Sequence, residues 1–207
     1  MPAESCGRKV LVCVAGTSPA VVTETLFALV TQPQPFVPDE IHIVSTTVGC
    51  EKVRAALLLP QQGLCGPMPG YFYQLLADYP TCFGAKPPRL DEGTLHVIAH
   101  QAVSKQEVID IVSLEDNHAA AQTLYRVLRE LKAVPGTRIH ASVAGGRKSM
   151  SFYMGQAFSL LADEEDVLSH VLVNEPFEWP GFDFFYVPPQ PRELTYLGKL
   201  ATTNYLP

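Results

Sequence analysis

The residues best able to do chemistry lie in segment 144–149, Ala-Gly-Gly-Arg-Lys-Ser. A strand-like run, 137–143, precedes it, and a helix is predicted over 148–161. Two glycines in such a turn let the backbone approach a ligand, and a helix N-terminus supplies free N–H groups and partial positive charge. Arg147 and Lys148 add two full positive charges at the same place. Together these features favour an anion, and above all a phosphate.

This segment is not a nucleoside-triphosphate loop. In the pattern G-x-x-x-x-G-K-[ST], Arg147 would stand in place of the last glycine and Ser142 in place of the first. The alternative interpretation is a glycine-assisted turn with two solvated cations. We favour a phosphate-binding turn made by Gly145, Gly146, Arg147, Lys148 and Ser149.

A second candidate loop, Gly16-Thr17-Ser18-Pro19, follows a continuous apolar run over residues 9–15. Pro19 suits the first turn of a helix, and Ser18 is predicted to be its N-cap. The loop lacks the glycines of a dinucleotide fingerprint, and Ser45-Thr46-Thr47 brings no acidic residue for a ribose diol. Taken alone it is an ordinary capped turn. Together with the 144–149 turn, its hydroxyls and amides predict a second phosphate or ribose contact.

The elements that must position these loops alternate between strand and helix. Strands are predicted over 9–15, 40–46, 95–99, 108–112, 137–143, 167–173 and 182–187, and helices over 48–59, 115–132, 148–161 and from Pro19 to before Pro33. This order predicts an α/β, Rossmann-like fold: a mostly parallel sheet, helices on both faces and an antiparallel edge near the C-terminus. Residues 1–207 are expected to form a single domain, with an irregular Pro/Gly-rich insertion at about 60–93 that carries a short helix near 71–77.

Ligands of such sheets bind beyond the carboxyl ends of the strands. Three loops lie at such ends, so we expect them to converge on one crevice: Gly16–Pro19, Thr46–Thr47 and Gly145–Lys148. We interpret Glu24 as a solvated helix residue, and Asp116 and Asn117 as cap residues, with Ser113 and Asp116 pairing at a helix start.

Composition narrows the possible functions. A net charge of -6 argues against broad binding to duplex DNA or RNA, but not against a local anion site. Five scattered cysteines favour free thiols in a reducing cytoplasm, and His96 and His100 lack a third partner for a metal. No signal peptide and no apolar run long enough for a membrane span is recognised. We therefore expect a cytoplasmic protein without metal, cofactor or membrane contact.

Three segments together resemble the CRISPR-associated Rossmann-fold (CARF) proteins, above all a stand-alone family with little beyond the CARF core. The matching residues are 15–26 (AGTSPAVVTETL), 144–150 (AGGRKSM) and 168–173 (LSHVLV). The resemblance extends over nearly the whole chain. In one departure, the chain has Val112 and Ser113 where a basic residue is expected before Asp116.

The resemblance implies a cyclic oligoadenylate ligand, cyclic tetra-adenylate first, and a homodimer with the ring on its two-fold axis. Some CARF proteins cleave the ring without a metal by attack of a ribose 2′-hydroxyl on the adjacent phosphorus. In that case Lys148 would stabilise developing charge, Ser18 would orient the ribose or phosphate, and the amides of Gly145 and Gly146 would assist. The chain would then be a ring nuclease that ends a type III CRISPR defence signal.

Two alternatives remain. One is a non-catalytic sensor or sink for the ring that signals to a partner, and the other is a Rossmann-like enzyme for another phosphorylated metabolite. Residues Tyr71, Phe72 and Tyr73 of the insertion are expected to contribute a lid or dimer packing.

Overall fold

The computed structural model describes residues 7–63, 66–100, 105–178, 184–196 and 199–203. The central sheet has five strands: β1 (Lys9–Val14), β2 (Glu40–Ser45), β5 (Leu95–Val97), β6 (Arg138–Ser142) and β7 (Val167–Ser169). They lie in the spatial order β5-β2-β1-β6-β7, and every pair is parallel. The predicted parallel sheet is confirmed.

Helices cover both faces of this sheet, as the strand–helix alternation predicts. They are α1 (Ala20–Thr31), α2 (Thr47–Val53, continued by a π-helical turn Arg54–Leu58), α3 (Tyr71–Asp78), α4 (Pro80–Phe83), α5 (Leu114–Lys132) and α6 (Lys148–Leu161). A 3-10 turn, Glu92–Thr94, leads into β5. No helix in the described part of the chain is both long and apolar enough to cross a bilayer.

The core divides into two layers because the side chains of a strand alternate between the faces of the sheet. Leu11 and Cys13 of β1 pack with apolar residues of α1, α2 and α3. Val10 and Val12 of the same strand pack with residues of α5 and α6, including Leu124. A strand buried on both faces carries apolar residues at every position, which explains the unbroken apolar run of β1.

Residues 60–93 are more regular than the sequence suggests. They contain an antiparallel hairpin, β3 (Gln61–Gly63) with β4 (Gly66–Met68), and the helices α3 and α4. Phe72 and Leu75 are buried in the core below α1, so this segment completes the packing of one face of the sheet. The expectation that Phe72 contributes to a lid or to dimer packing is therefore wrong, because its side chain is part of the core.

Two predicted strands are absent. Residues 108–112 form a loop: Val108 donates its N–H to the Ile98 carbonyl, and its side chain is buried in the α5–α6 layer, so its apolar character reflects packing. Residues 184–187 likewise form no strand, and the apolar character of Phe184 and Tyr186 reflects their burial against other aromatic side chains. Residues 182–183 lie outside the described ranges.

The expected edge pair must also be corrected. β7 ends at Ser169 and pairs with β6 in parallel. The antiparallel pair near the C-terminus is β8 (Glu193–Tyr196) with β9 (Lys199–Thr202), which form a separate small sheet. β7 is shorter than predicted because the residues after Ser169 leave the sheet and line a cavity.

Candidate functional site

The crevice lies where the direction of strand order reverses. From β1 the chain builds outward through β2 to β5, then crosses to add β6 and β7 on the other side of β1. In such sheets the loops after the two central strands diverge and leave room for a ligand at the carboxyl end. The loops after β1 and β6 are those that carry Gly16 and Gly145, so these two loops lie together at the carboxyl end of the sheet, as predicted.

The two glycine turns are in direct contact. A Cβ on Gly16 would lie 3.1 Å from the Cα of Gly146. A Cβ on Gly145 would lie 2.6 Å from the carbonyl oxygen of Val14, and Gly146 has a φ of 80°, which favours glycine. The sequence requires glycine here because two backbones, each followed by a helix N-terminus, meet without room for side chains.

The crevice contains two cavities, and the smaller one, of about 380 Å³, opens between the glycine turns. Its lining includes Gly16, Thr17, Thr46, Asp110, Gly146 and Arg147. The Thr46 hydroxyl accepts a hydrogen bond from the Gly49 N–H at 3.3 Å and so caps α2. The Thr47 hydroxyl donates to the Val108 carbonyl at 3.3 Å, and Thr47 does not line the cavity. Of the two predicted threonines, only Thr46 lines the crevice.

Arg147 is already paired with a carboxylate that sequence reasoning missed. Its guanidinium donates from both Nε and an Nη to Asp110, with the Nε–Oδ1 distance 3.2 Å. The Arg147 side chain is 57% exposed and that of Asp110 44%. The hydrogen bonds from Arg147 lower the pKa of Asp110. No local signal could have paired residues 37 positions apart in the sequence.

Lys148 and Ser149 are the first two residues of α6, beside the small cavity but not on its wall. Lys148 is exposed and Ser149 half-buried. The first amides of a helix have no intrahelical acceptor, so the N–H groups here remain available to an anion. Lys148 extends from this helix end as a cation.

Ser18 does not have the predicted capping role. Pro19 occupies the N-cap position of α1, and no side chain caps the helix. Ser18 and Thr17 are exposed instead, and both line a second, larger cavity of about 710 Å³. Because Thr17 lines both cavities, the Gly16–Pro19 loop forms the wall between them.

The larger cavity contains a carboxyl group that the sequence analysis took to be solvated. Glu24 of α1 is half-buried and lines this cavity together with His170, Leu172 and Phe184. Burial raises the pKa of Glu24 to about 7. Among the described residues, none forms a hydrogen bond or ion pair with its carboxyl. The position of Glu24 along the helix could not reveal this, because much of the cavity wall comes from residues 170–173, 177–178 and 184–185, which are distant in the sequence.

Asp116 and its neighbours form the predicted cap. The Ser113 hydroxyl accepts from the Asp116 N–H at 3.0 Å, and the Asp116 carboxylate accepts from the Ser113 N–H at 2.9 Å. The Asn117 amide donates to the Ser113 carbonyl at 2.9 Å. The cap interpretation is confirmed for Ser113 and Asp116, whereas Asn117 caps no helix N–H among the described residues. None of these groups lines either cavity of the crevice.

Within the described ranges, no three His, Cys, Asp or Glu side chains come together as a set able to hold a metal ion. Cys13, Cys50 and Cys82 are free thiols. What the crevice offers is two helix N-termini, two cations on the 144–149 turn and hydroxyls from the loop after β1.

Comparison with known protein families finds a match over most of the chain. The model of the family described as CRISPR-associated protein NE0113 matches residues 18–205. Similar solved structures include a UDP-N-acetylglucosamine 2-epimerase, at 11% identity and a TM-score of 0.38, covering 80% of this chain and 32% of that one. A putative UDP-N-acetylglucosamine 2-epimerase from Listeria monocytogenes has 17% identity and a TM-score of 0.36, covering 79% and 31%. The chain thus spans about a third of these two structures, and no curated protein matches it.

Proposed function

Since the chain belongs to the CRISPR-associated protein NE0113 family, we propose that it binds a cyclic oligoadenylate of type III CRISPR defence in the crevice between β1 and β6, and cleaves it. Family membership supports a role in CRISPR defence. The observation that carries the proposed ligand is the contact between the Gly16 and Gly146 turns, each followed by a helix N-terminus. Such ends favour phosphate, and a cyclic oligonucleotide presents several phosphates.

The charge distribution is compatible with this ligand. The chain carries a net charge of -6, which disfavours long nucleic acids, while Arg147 and Lys148 place two cations on the crevice turn. Arg147 would exchange its Asp110 partner for a phosphate, and Lys148 has no carboxylate partner among the described residues. A small polyanion fits a local basic turn on an acidic protein.

A homodimer would present each turn twice to a ring of identical nucleotides, which is why we propose two-fold symmetry. Support comes from large apolar side chains that are exposed on the segments around the Arg147–Asp110 pair: Ile109 at 67%, Val112 at 83%, Leu114 at 65% and Phe152 at 66%. Large apolar side chains exposed on neighbouring segments are typical of protein interfaces.

The proposed cleavage needs no protein nucleophile. A ribose 2′-oxygen attacks the adjacent phosphorus, the P–O5′ bond breaks, the 2′-hydroxyl proton leaves to solvent and the 5′-oxygen takes one up. The product is a linear oligoadenylate with a 2′,3′-cyclic phosphate. Lys148 and the amides of the 145–149 turn would stabilise charge on the phosphorane, and Ser18 would orient the reacting ribose or phosphate.

The test is incubation of labelled cyclic tri-, tetra- and hexa-adenylate with excess protein in a chelator. We expect the tetra-adenylate ring to open to products ending in 2′,3′-cyclic phosphate. Rings that stay intact after long incubation would exclude the nuclease. Tight binding without turnover, measured by calorimetry on the same samples, would instead identify a sensor or sink.

A further inference from the structure

The larger cavity has a carboxyl group and aromatic side chains on its wall, which phosphate binding does not require. It extends from Ser18 at the start of α1 past Glu24 to the segment 170–173, and its volume of about 710 Å³ is nearly twice that of the cavity between the turns. The Glu24 carboxyl faces it without a partner among the described residues. A half-buried carboxyl with open hydrogen-bonding capacity needs an account, because polar groups removed from water are normally paired.

We propose that this cavity is a subsite for an adenine base, and that the Glu24 carboxyl hydrogen-bonds the Watson–Crick edge of that base. This inference rests on the proposed function, because it takes the phosphate of the same nucleotide to lie at the start of α1. It adds to that function the group that selects the base.

The position of Glu24 along α1 favours base recognition over catalysis. Glu24 is four residues after the first residue of α1, Ala20, which at 1.5 Å per residue is about 6 Å along the helix axis. A general base must come within roughly 3 Å of the proton that it removes. The attacking 2′-hydroxyl adjoins the phosphorus, so it lies at the helix end, about one turn from Glu24. The base extends from the phosphate across the ribose, in the direction of Glu24.

The chemistry of the carboxyl selects among bases. A protonated carboxyl carries one O–H donor and a carbonyl acceptor. Adenine offers the complement, an acceptor at N1 and a donor at N6. Guanine offers two donors, N1–H and the 2-amino group, which suit an ionised carboxylate. Burial raises the pKa of Glu24 to about 7, so the protonated form is well populated near neutrality.

The aromatic residues that line the same cavity as Glu24 suit the faces of a base. Phe177 and Phe184 line the cavity with their ring centroids 4.7 Å apart. Phe185 also lines it, and its ring stacks on that of Tyr71, at 3.7 Å between centroids. Single-stranded bases are held by stacking on aromatic side chains while a polar group contacts their Watson–Crick edge. Both components are present here.

Other charged or titratable groups face the same space. Lys52 comes from α2, His170 from the segment after β7, and Glu178 from the following loop. Because several such groups line the cavity, a change of affinity with pH is attributed to Glu24 only if a substitution at Glu24 abolishes that change.

The experiment is calorimetric titration of cyclic tetra-adenylate into the full chain at pH 6 and pH 8. Glu24→Gln keeps a donor and an acceptor for adenine but cannot titrate, and Glu24→Leu has neither. Glu51→Gln and Glu51→Leu are matched controls, because Glu51 is an exposed glutamate of α2 that lines neither cavity. Thermal melting verifies that each variant folds.

We expect Glu24→Leu to weaken binding about tenfold or more at pH 6, the size of a lost bidentate base contact. The wild type should bind more weakly at pH 8 than at pH 6, Glu24→Gln should bind equally at both, and the Glu51 variants should follow the wild type. Wild-type affinity in Glu24→Leu, or an unchanged pH effect in Glu24→Gln, would overturn the inference and leave the proposed function standing. A wild type that does not bind the ring would overturn both.

Discussion

Gly16 and Gly146 touch across the carboxyl ends of the neighbouring parallel strands β1 and β6, where a Cβ on Gly16 would lie 3.1 Å from the Cα of Gly146. Two turns that are 130 residues apart in the sequence thereby become one continuous backbone surface. The close approach explains why both turns contain glycine. It also makes the site sensitive to the smallest possible side chain.

We expect Gly145→Ala to destabilise the fold by about 1–3 kcal/mol, since the new Cβ would lie 2.6 Å from the Val14 carbonyl oxygen and backbone would have to move. The matched control is Gly155→Ala inside α6, where the nearest atom to a new Cβ is 4.0 Å away. That change should stabilise by up to about 1 kcal/mol. Urea unfolding measures both, and equal stability of the two variants would contradict the packing described.

Asp110→Asn should strengthen binding of cyclic tetra-adenylate, because it frees the Arg147 guanidinium and removes a negative charge from the cavity wall. The pair is exposed, so we expect only about a two- to fivefold gain at low salt, shrinking as salt rises. Calorimetry in two salt concentrations measures this. Glu115→Gln, an exposed acid in the first turn of α5, controls for net charge; an equal gain there would refute a specific role of Asp110.

Lys148→Ala should slow ring opening by at least about tenfold while weakening binding less, because a contact made mainly in the transition state affects the chemical step most. Single-turnover cleavage and calorimetry on the same samples separate the two effects. Lys86→Ala, at an exposed lysine in the loop after α4, is the control. Equal losses of binding and rate would assign Lys148 to ligand binding alone.

Stability should fall in acid between about pH 6.5 and pH 4, because His96 and His140 take up protons at a higher pH in the unfolded chain than in the folded protein. Burial lowers the pKa of His96 and of His140 to about 4. A lowered pKa means that their contribution is complete above the unfolded value and is lost as the pH falls. We expect a loss on the order of 2 kcal/mol per histidine.

His140→Gln tests this dependence, because Gln can still hydrogen-bond the Ser169 hydroxyl, which lies 2.7 Å from Nε2 in the wild type. Its unfolding free energy should fall less between pH 7 and pH 4.5 than that of the wild type. Glu24 contributes with the opposite sign, since its pKa is raised to about 7 and its stabilising contribution is lost as pH rises from about 4.5. Parallel pH curves for His140→Gln and the wild type would show that His140 does not titrate as described.

Phe152→Glu should yield monomers if the apolar surface near the crevice joins two copies of the chain, since a charge would be buried at the contact. Light scattering coupled to size-exclusion chromatography gives the mass. Val134→Glu changes an exposed apolar residue just after α5, near the opposite end of the sheet, and should leave the mass unchanged. If Phe152→Glu remains a dimer, the interface lies elsewhere on the chain. If the wild type is a monomer, the proposed dimer is excluded.

Several features followed from the sequence because they are local. The apolar run of β1, the capping pair Ser113–Asp116 and the start of α6 at Lys148 each depend on neighbouring residues, and all are confirmed. The meeting of the two glycine turns also followed, because parallel strands bring their carboxyl ends to one edge of the sheet.

Loops were predicted less well, because an apolar loop residue can be buried by distant parts of the chain and then has the same sequence pattern as a strand residue. Val108 and Phe184 looked like strand residues, yet the burial of Val108 comes from packing in the α5–α6 layer and that of Phe184 from aromatic contacts. Neither environment is encoded next to the residue itself. In the segment 60–93 the short helix near 71–77 was predicted and is confirmed as α3, whereas the hairpin β3–β4 and the helix α4 were not predicted.

The sequence by itself determined the sheet, its flanking helices and a cationic glycine turn at a strand end, because periodicity and turn chemistry act over a few residues. Only the tertiary structure decided that Arg147 pairs with Asp110 and that the half-buried Glu24 shares a cavity with aromatic side chains. Charge pairing and desolvation depend on which distant groups share a small volume. That proximity is set by the fold as a whole.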